Sequence, residues 1–495
     1  MEKKYVLVID EGTTGVRAFL YNKEMKIVGV SYQKIEALFP GPGEAEEDAL
    51  EIYKKTVEVC RDVVKEHGIS AEEIACVGIA NQRLSWLFWN KETGKPLRNA
   101  VLWLDSRGRF QKQKFMDDPV FNEKFPGVAP YLPGLFMPLI LDKIKDEDPA
   151  FAAEFEKPTT IFGNIDTWLI WNLTGGQVHA TSPSTASNST VFVSGTNVWN
   201  TPFLEYVGVR MNMMPQVKDE ADDYGMMSAD ILGVGIPICS AIADQQSALF
   251  SQGCIEPNTL KCTIGTGTFV DINMGTELKR AGALNPSVGW RLNGVTNYML
   301  EGSSFTAGAC LEWARHELKL FDDFESMNDM AEQISDSGGV YFIPALTGLS
   351  GIPFNDETAK GAYMGITPKA TRNHFVRATL EGIGFATVCL MEEAMKAGIE
   401  IKQIKLSGGV SQSDTIGQLI SNLTGAEVIR PKSVEATALG AAEMAAIKIG
   451  WVTPEDTARF IEVDHVFTPD QNQAKTKKEF ANWKNAVSRT LNWLS

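Results

Sequence analysis

Apolar and polar positions change period repeatedly along the chain, and each change predicts an element. Residues 6–9 are four consecutive apolar positions, which predict a buried strand. Gly12 and Gly15 then permit a tight reversal, and residues 16–20 resume a mostly apolar run. The segment reads as a β-hairpin whose tip carries Asp10, Thr13 and Thr14, with Arg17 close by. Residues 26–33 continue as a strand, and Pro40-Gly41-Pro42-Gly43 marks a loop. From the acidic residues Glu44, Glu46, Glu47 and Asp48 a helical period runs to about Lys65. Ile52, Thr56, Val59 and Val63, with their neighbours Tyr53, Val57, Cys60 and Val64, make one broad buried stripe on it.

Further along, residues 74–80 predict a buried strand that delivers Asn81, Gln82 and Arg83 to its C-terminal end, where open α/β sheets place ligands. Residues 100–104 predict another, bringing Trp103, Asp105 and Arg107 to a similar position. Residues 166–171 read as a packing helix, and residues 180–190, rich in Ser and Thr, as a loop. The apolar run 236–243 ends at Asp244, whose ordinary role there is to cap a helix over 245–250.

The first pattern returns about halfway. Residues 260–272 repeat strand, Gly/Thr-rich turn and strand, with Gly265, Thr266 and Gly267 at the tip and Phe269 just after it. A helix follows from near Ala307, with Leu311, Ala314 and Leu318 as core contacts. Residues 404–409 predict a strand feeding the glycine turn Gly408-Gly409 and then a helix. Residues 436–442 are small enough for close helix packing, and the tail, with Trp483 and Trp493, reads as an amphipathic terminal helix.

The two glycine turns carry the candidate chemistry. Glycines let backbone amides and Thr hydroxyls approach phosphate oxygens, a carboxylate such as Asp10 can hold magnesium, and Arg17 can meet a terminal phosphate. One such turn is ordinary. Two, one in each half, suggest duplicated domains with a nucleotide held in the cleft between them.

Composition narrows the partners. A chain of 495 residues can form two or more domains, and a net charge of −16 argues against a nucleic-acid partner or an anionic membrane surface. The seven cysteines are scattered without zinc-site spacing, no apolar run reaches membrane-spanning length, and the N-terminus lacks a secretory apolar region. These features predict a cytoplasmic protein.

The motifs together resemble the FGGY carbohydrate kinases of the actin, Hsp70 and hexokinase superfamily, and within them the glycerol kinases. The resemblance rests on Asp10-Glu11-Gly12-Thr13-Thr14 with Arg17, Gly78-Ile79-Ala80-Asn81-Gln82-Arg83, and Trp103 with Asp105 and Arg107. It continues through Ala243-Asp244-Gln245-Gln246, Gly265-Thr266-Gly267-Thr268-Phe269, Glu301-Gly302, Thr347-Gly348-Leu349 and Ser407-Gly408-Gly409. It implies an α/β fold of two ribonuclease H-like domains with an interdomain cleft. Residues 1–250 would bind the substrate and carry the first phosphate hairpin, and residues 251–495 would bind the nucleotide. The implied activity is ATP- and magnesium-dependent phosphorylation of a hydroxyl on a small polyol, glycerol being the first candidate, by a homo-oligomer. A kinase for another polyol or a xylulose-like ketose, or a catalytically silent sugar sensor, are the alternatives.

By the same resemblance Asp244 is the catalytic base and, with Asp10, a metal ligand. Arg83, Leu84, Trp103, Asp105, Tyr131, Asp244, Gln245 and Phe269 face the substrate. Thr13, Thr14, Arg17, Gly265, Thr266, Gly308, Glu312, Gly408, Gly409 and Ser413 hold ATP. There are departures: Glu312 and Ser413 replace a Gln and an Asn. Leu84-Ser85-Trp86 stands where glycerol kinases have Glu-Thr-Thr, so Leu84 cannot accept a substrate hydrogen bond, and Trp86 would either fill the pocket or stack on a longer substrate.

Overall fold

The computed structural model describes residues 1–304, 306–349, 354, 356, 358–432 and 435–493. The chain forms two compact units. Unit 1 is Met1–Ser251 with Ser287–Thr296 and Glu435–Phe460; unit 2 is Gln252–Pro286, Asn297–Val434 and Ile461–Ser495. A single cut at 250/251 would assign Ser287–Thr296 and Glu435–Phe460 to the second half, but they pack with unit 1.

In unit 1 the strands β1 (Tyr5–Gly12), β2 (Gly15–Tyr21) and β3 (Ile27–Lys34) form an antiparallel meander. On the other side of β1, β4 (Ile74–Asn81) pairs parallel with β1, and β5 (Ile236–Ala243) pairs parallel with β4. The short strand Met226–Met227 closes that edge antiparallel. Helices cover both faces, which is why residues 6–9 are apolar without alternation. Leu7, Ile9, Val77 and Ile79 share one buried cluster with Ile52, Val59 and Val63 of helix Ala49–Glu66. The opposite face meets helix Ala436–Lys448 so closely that a Cβ added to Gly78 would lie 2.5 Å from the Ala441 carbonyl oxygen. Since neighbouring strand residues point to opposite faces, Asp10 and Glu11 leave β1 in opposite directions.

A second sheet of unit 1 runs Glu46–Glu47, Ala100–Val101, Trp86–Asn90, Thr160–Asn164 in spatial order. Its aromatic core includes Trp86, Phe88 and Phe162. Trp86 is buried there against the Phe88 and Phe162 rings, so it neither fills a substrate pocket nor stacks on a substrate.

Several local expectations shift. The helix expected from Glu44 starts at Ala49, because Asp48 accepts the Leu50 and Glu51 amides as its cap, and Glu46 and Glu47 are buried strand residues instead. The strand expected over 100–104 ends at Val101. The Ser/Thr-rich stretch 180–190 is not an open loop: it holds strand Ala180–Thr181 and helix Pro183–Ser187, capped by Ser182 and mostly buried.

Six neighbouring strands of the seven-stranded sheet in unit 2 repeat the order and strand senses of the first sheet. Strands β6 (Thr259–Ile264), β7 (Thr268–Gly275) and β8 (Val295–Ser304) form the meander. Next to β6 lie β9 (Gln403–Ser407) and β10 (Glu427–Pro431), both parallel, and then β11 (Val463–Phe467), antiparallel. The duplication read from two glycine turns is thus a duplication of sheet topology. Leu311 and Ala314 of helix Gly308–His316 are buried as expected, whereas Leu318 lies beyond the helix and is 42% exposed. Trp483 is buried on helix Gln473–Val487, and Trp493, beyond its end, is exposed.

Candidate active site

The turn of the first hairpin is tight because Gly12 pairs directly with Gly15. A Cβ at Gly15 would lie 2.5 Å from both the Gln33 carbonyl oxygen and the Tyr32 ring, so only glycine fits. The antiparallel register sets Asp10 opposite Arg17, and their side chains join at 2.6 Å. The second arm of the guanidinium meets Glu435, which precedes helix Ala436–Lys448, at 2.7 Å. Burial pushes the Asp10 carboxyl up to about 6 against the pull of Arg17; the nearby charges of Asp244 and Glu435 push the same way.

β5 ends at Ala243, and Asp244 opens helix Asp244–Ser251, accepting the Gln245 amide at 2.7 Å. The helix N-terminus favours its negative charge. Arg83, just past β4, reaches Asp244 Oδ1 at 3.2 Å, and its other arm donates to Asn188 Oδ1 at 3.4 Å. Trp103 donates its indole N–H to Thr13 Oγ1 at 2.8 Å. Unit 1 therefore gathers Asp10, Thr13, Arg17, Arg83, Trp103 and Asp244 at the C-terminal ends of β1, β4 and β5, with the hairpin tip.

Two other expected substrate residues, Asp105 and Tyr131, lie elsewhere. Asp105 is 1% exposed, and its oxygens are taken by the Ala45 amide (2.9 Å), the Arg107 amide (2.9 Å) and the Arg107 side chain. Arg107 also meets Glu46 at 2.7 Å, so this Asp–Arg pair braces the second sheet rather than facing a substrate. Tyr131 is 85% exposed on the short helix Ala129–Tyr131. Leu84 is half-buried with φ of 61°, a left-handed conformation unusual for a Leu.

In unit 2 the second turn, the start of a helix and a glycine turn meet. The Gly308 amide donates to the Gly265 carbonyl at 2.9 Å and the Ala307 amide to Thr266 at 3.0 Å. A Cβ at Gly308 would come within 2.4 Å of the Gly265 oxygen, and one at Gly408, which has φ of 92°, within 2.4 Å of the Ile264 oxygen. A Cβ at Gly409 would meet open space, so a ligand can approach that backbone. Thr266 is exposed beside the N-terminus of helix Gly308–His316, a favourable place for an anion. Glu312 is exposed one turn into the helix and meets His316 at 3.1 Å. Phe269 is half-buried on β7. Ser413 does not face a base: it is 1% exposed, and its hydroxyl has no partner among the described residues.

Family models place this geometry. Residues 5–251 match the N-terminal domain of the FGGY family of carbohydrate kinases, and residues 260–449 match its C-terminal domain. The chain belongs to this family. It is 36% identical to a glycerol kinase of Caldanaerobacter subterraneus subsp. tengcongensis, over 99% of each chain. It is 38% identical to one of Treponema denticola, over 99% of this chain and 100% of that protein. The structure of Plasmodium falciparum glycerol kinase with ADP matches with a TM-score of 0.91 and 29% identity, covering 99% of each chain.

The FGGY fold, two actin- and hexokinase-like α/β domains, thus carries a kinase. Three participants escaped the sequence. Glu435 is 418 residues from Arg17 in the chain, and nothing local marks it as an ion-pair partner. Asn188 lay in the presumed loop. Glu47 falls in the acidic run that predicts a helix start, yet it is a buried carboxyl linked to Gln82. Among the described residues no helix is long and apolar enough to cross a membrane, and no group of three or more His, Cys, Asp or Glu side chains forms a metal site.

Proposed function

We propose that this FGGY kinase transfers the γ-phosphate of ATP to a hydroxyl of a small polyol, glycerol being the first candidate. The observation that carries this is the Arg83–Asp244 pair at 3.2 Å, set at the sheet end that also carries the Thr13 turn on which Trp103 is held. A hydroxyl that hydrogen-bonds to Asp244 finds a carboxylate able to accept its proton as the bond to phosphorus forms, a role worth about 10²–10⁴ in rate. Arg83 pairs with that carboxylate and offers N–H groups to the neighbouring hydroxyls of a polyol, while the Trp103 ring packs on its carbon skeleton. Full-length similarity to proteins named glycerol kinase supports this acceptor.

On the nucleotide side, the turn at Gly265 and Thr266, the helix start at Gly308 and the open backbone of Gly409 suit a phosphate chain and an adenosine. Arg17 and the amides of the Thr13-Thr14 turn would stabilise the phosphoryl group in flight. Magnesium is usually held by one or two carboxylates together with substrate phosphates, so Asp10 and Asp244, close enough to influence each other's charge, fit as its protein ligands. Bound there, magnesium would neutralise phosphate charge. Seven free and buried thiols suit the reducing cytoplasm, where we place the protein.

A second acceptor class is favoured by one observation. Leu84 offers no hydrogen-bond acceptor, which weakens the case for glycerol relative to a longer polyol or a ketose. A coupled ADP-release assay with ATP and magnesium across glycerol, tetritols, pentitols and ketopentoses separates the two. Glycerol turnover that falls about 10²- to 10⁴-fold in Asp244→Asn, with the KM for ATP little changed, is the expected result. Turnover confined to longer acceptors moves the substrate assignment, and an undiminished kcat in Asp244→Asn refutes the base.

A further inference from the structure

We propose that Glu11, Gln82 and Glu47 form a buried positioning unit that fixes the orientation of Thr13 and Trp103, and through Trp103 the fit of the acceptor alcohol. This rests on the reading that places the acceptor against Trp103. Glu11 and Glu47 are fully buried and Gln82 is 3% exposed. They come from three separate elements: the end of β1, the edge of the second sheet, and the residue after β4.

The hydrogen bonds have a forced direction. Gln82 Nε2 lies 3.0 Å from Glu11 Oε1 and 3.0 Å from Glu47 Oε2, so both amide hydrogens go to carboxyl oxygens and the amide carbonyl must face the other way. That carbonyl accepts the Thr13 and Ser85 hydroxyls, each at 3.1 Å. A hydroxyl has one proton. Once it is given to Gln82, only lone pairs remain, and they receive Trp103: the indole N–H on Thr13 Oγ1 at 2.8 Å and the main-chain N–H on Ser85 Oγ at 3.2 Å. Both donors of Trp103 therefore end on hydroxyls that reach one carbonyl oxygen, Thr13 by this bond and Ser85 by the shorter of two, its other acceptor being the Arg83 carbonyl at 3.4 Å.

Reversing the Gln82 amide would set its oxygen against two carboxyl oxygens and would take from the Thr13 and Ser85 hydroxyls the acceptor that fixes their protons. Glu11 Oε2 and Glu47 Oε1 have no partner among the described residues. Thr13 also changes role: its proton is used inward, so an incoming phosphate meets the backbone N–H groups of that turn and not the Thr13 hydroxyl as a donor.

Gln82→Met and Glu47→Leu test the unit at two points that do not touch the acceptor, with Glu47→Gln as the conservative variant whose amide oxygen can still accept. Two readouts are needed: steady-state kinetics with glycerol and ATP, and the Trp103 indole N–H resonance, assigned by its loss in Trp103→Phe. Both disruptive variants should shift that resonance and speed its hydrogen exchange. They should raise the glycerol KM about 10-fold while the KM for ATP stays within about 3-fold, and Glu47→Gln should restore both readouts. An unmoved Trp103 resonance in folded Gln82→Met and Glu47→Leu overturns the proposal. So does an equal rise in both KM values, which a merely structural role would give. A shifted resonance with an unchanged KM, for every acceptor the wild type turns over, upholds the unit's hold on Trp103 and refutes the placement of the acceptor there.

Discussion

Helix Asp244–Ser251 carries the proposed base on its first residue and meets helix Ala436–Lys448 along a seam with no room for a methyl group. The Ser247 and Ser251 hydroxyls donate to the carbonyls of Thr437 and Ala436, each at 2.6 Å, and Gly440 lies under Ser247. A Cβ at Gly440 would lie 2.1 Å from the Ser247 carbonyl oxygen and 2.5 Å from its hydroxyl, where an ordinary contact needs at least 3.4 Å. Gly440→Ala must therefore part the helices by about 1.3 Å, the difference between 3.4 and 2.1 Å. Overpacking of this kind costs about 1–3 kcal/mol, and the better helix propensity of Ala offsets about 1 kcal/mol of it. The net loss is then up to about 2 kcal/mol. The larger effect is catalytic: Asp244 is one turn from Ser247, and a misplacement of about 1 Å can cost about 10²-fold. The urea unfolding midpoint should fall, and kcat should drop about 10- to 100-fold with the KM for ATP nearly unchanged. A Gly440→Ala protein with full kcat and undiminished stability would refute the reasoning, because it would mean that the seam yields without moving the base.

Three further outcomes are expected. Leu84→Glu, which restores an acceptor, should lower the KM for glycerol about 5- to 150-fold, the equivalent of about 1–3 kcal/mol; a KM that does not fall in steady-state kinetics would remove Leu84 from the acceptor site. Glu443 is buried with neither carboxyl oxygen partnered among the described residues, and burial pushes it well above its ordinary 4.5. Because the folded state holds that proton more tightly than the unfolded chain, its contribution is lost as pH rises, so Glu443→Met should raise the melting temperature by an amount that grows from about pH 5 upward. His179 goes the other way: burial lowers its imidazole to about 4 despite its contact with the Phe162 carbonyl at 2.7 Å. Its contribution is present above 6.5 and lost as pH falls toward 4, so the urea midpoint of His179→Asn should decline less steeply over that window than that of the wild type.

The two hairpins were legible from the sequence because turn chemistry and strand apolarity are local. Gly12 and Gly15, Gly265 and Gly267, and the runs beside them specify the reversals whatever the rest of the chain does. The strand ending at Asp244 and the close packing of residues 436–442 were legible for the same reason, and the order of the motifs pointed to the family. Which side chains meet was not local. Glu435 reaches Arg17 only because helix Ala436–Lys448 packs on the β1 face that Asp10 also points to. Glu47 looked like a helix start because acidic residues favour helix N-termini, and the register with Ala100 turned it into a buried partner of Gln82. Trp86 and Ser413, placed near ligands by motif position, were drawn into the interior, since facing is decided by the neighbours a residue packs against. The sequence by itself determined the elements and their duplication. Packing alone decided which face each polar side chain took, because burying one face of a strand leaves its neighbour's side chain nowhere to go but the other.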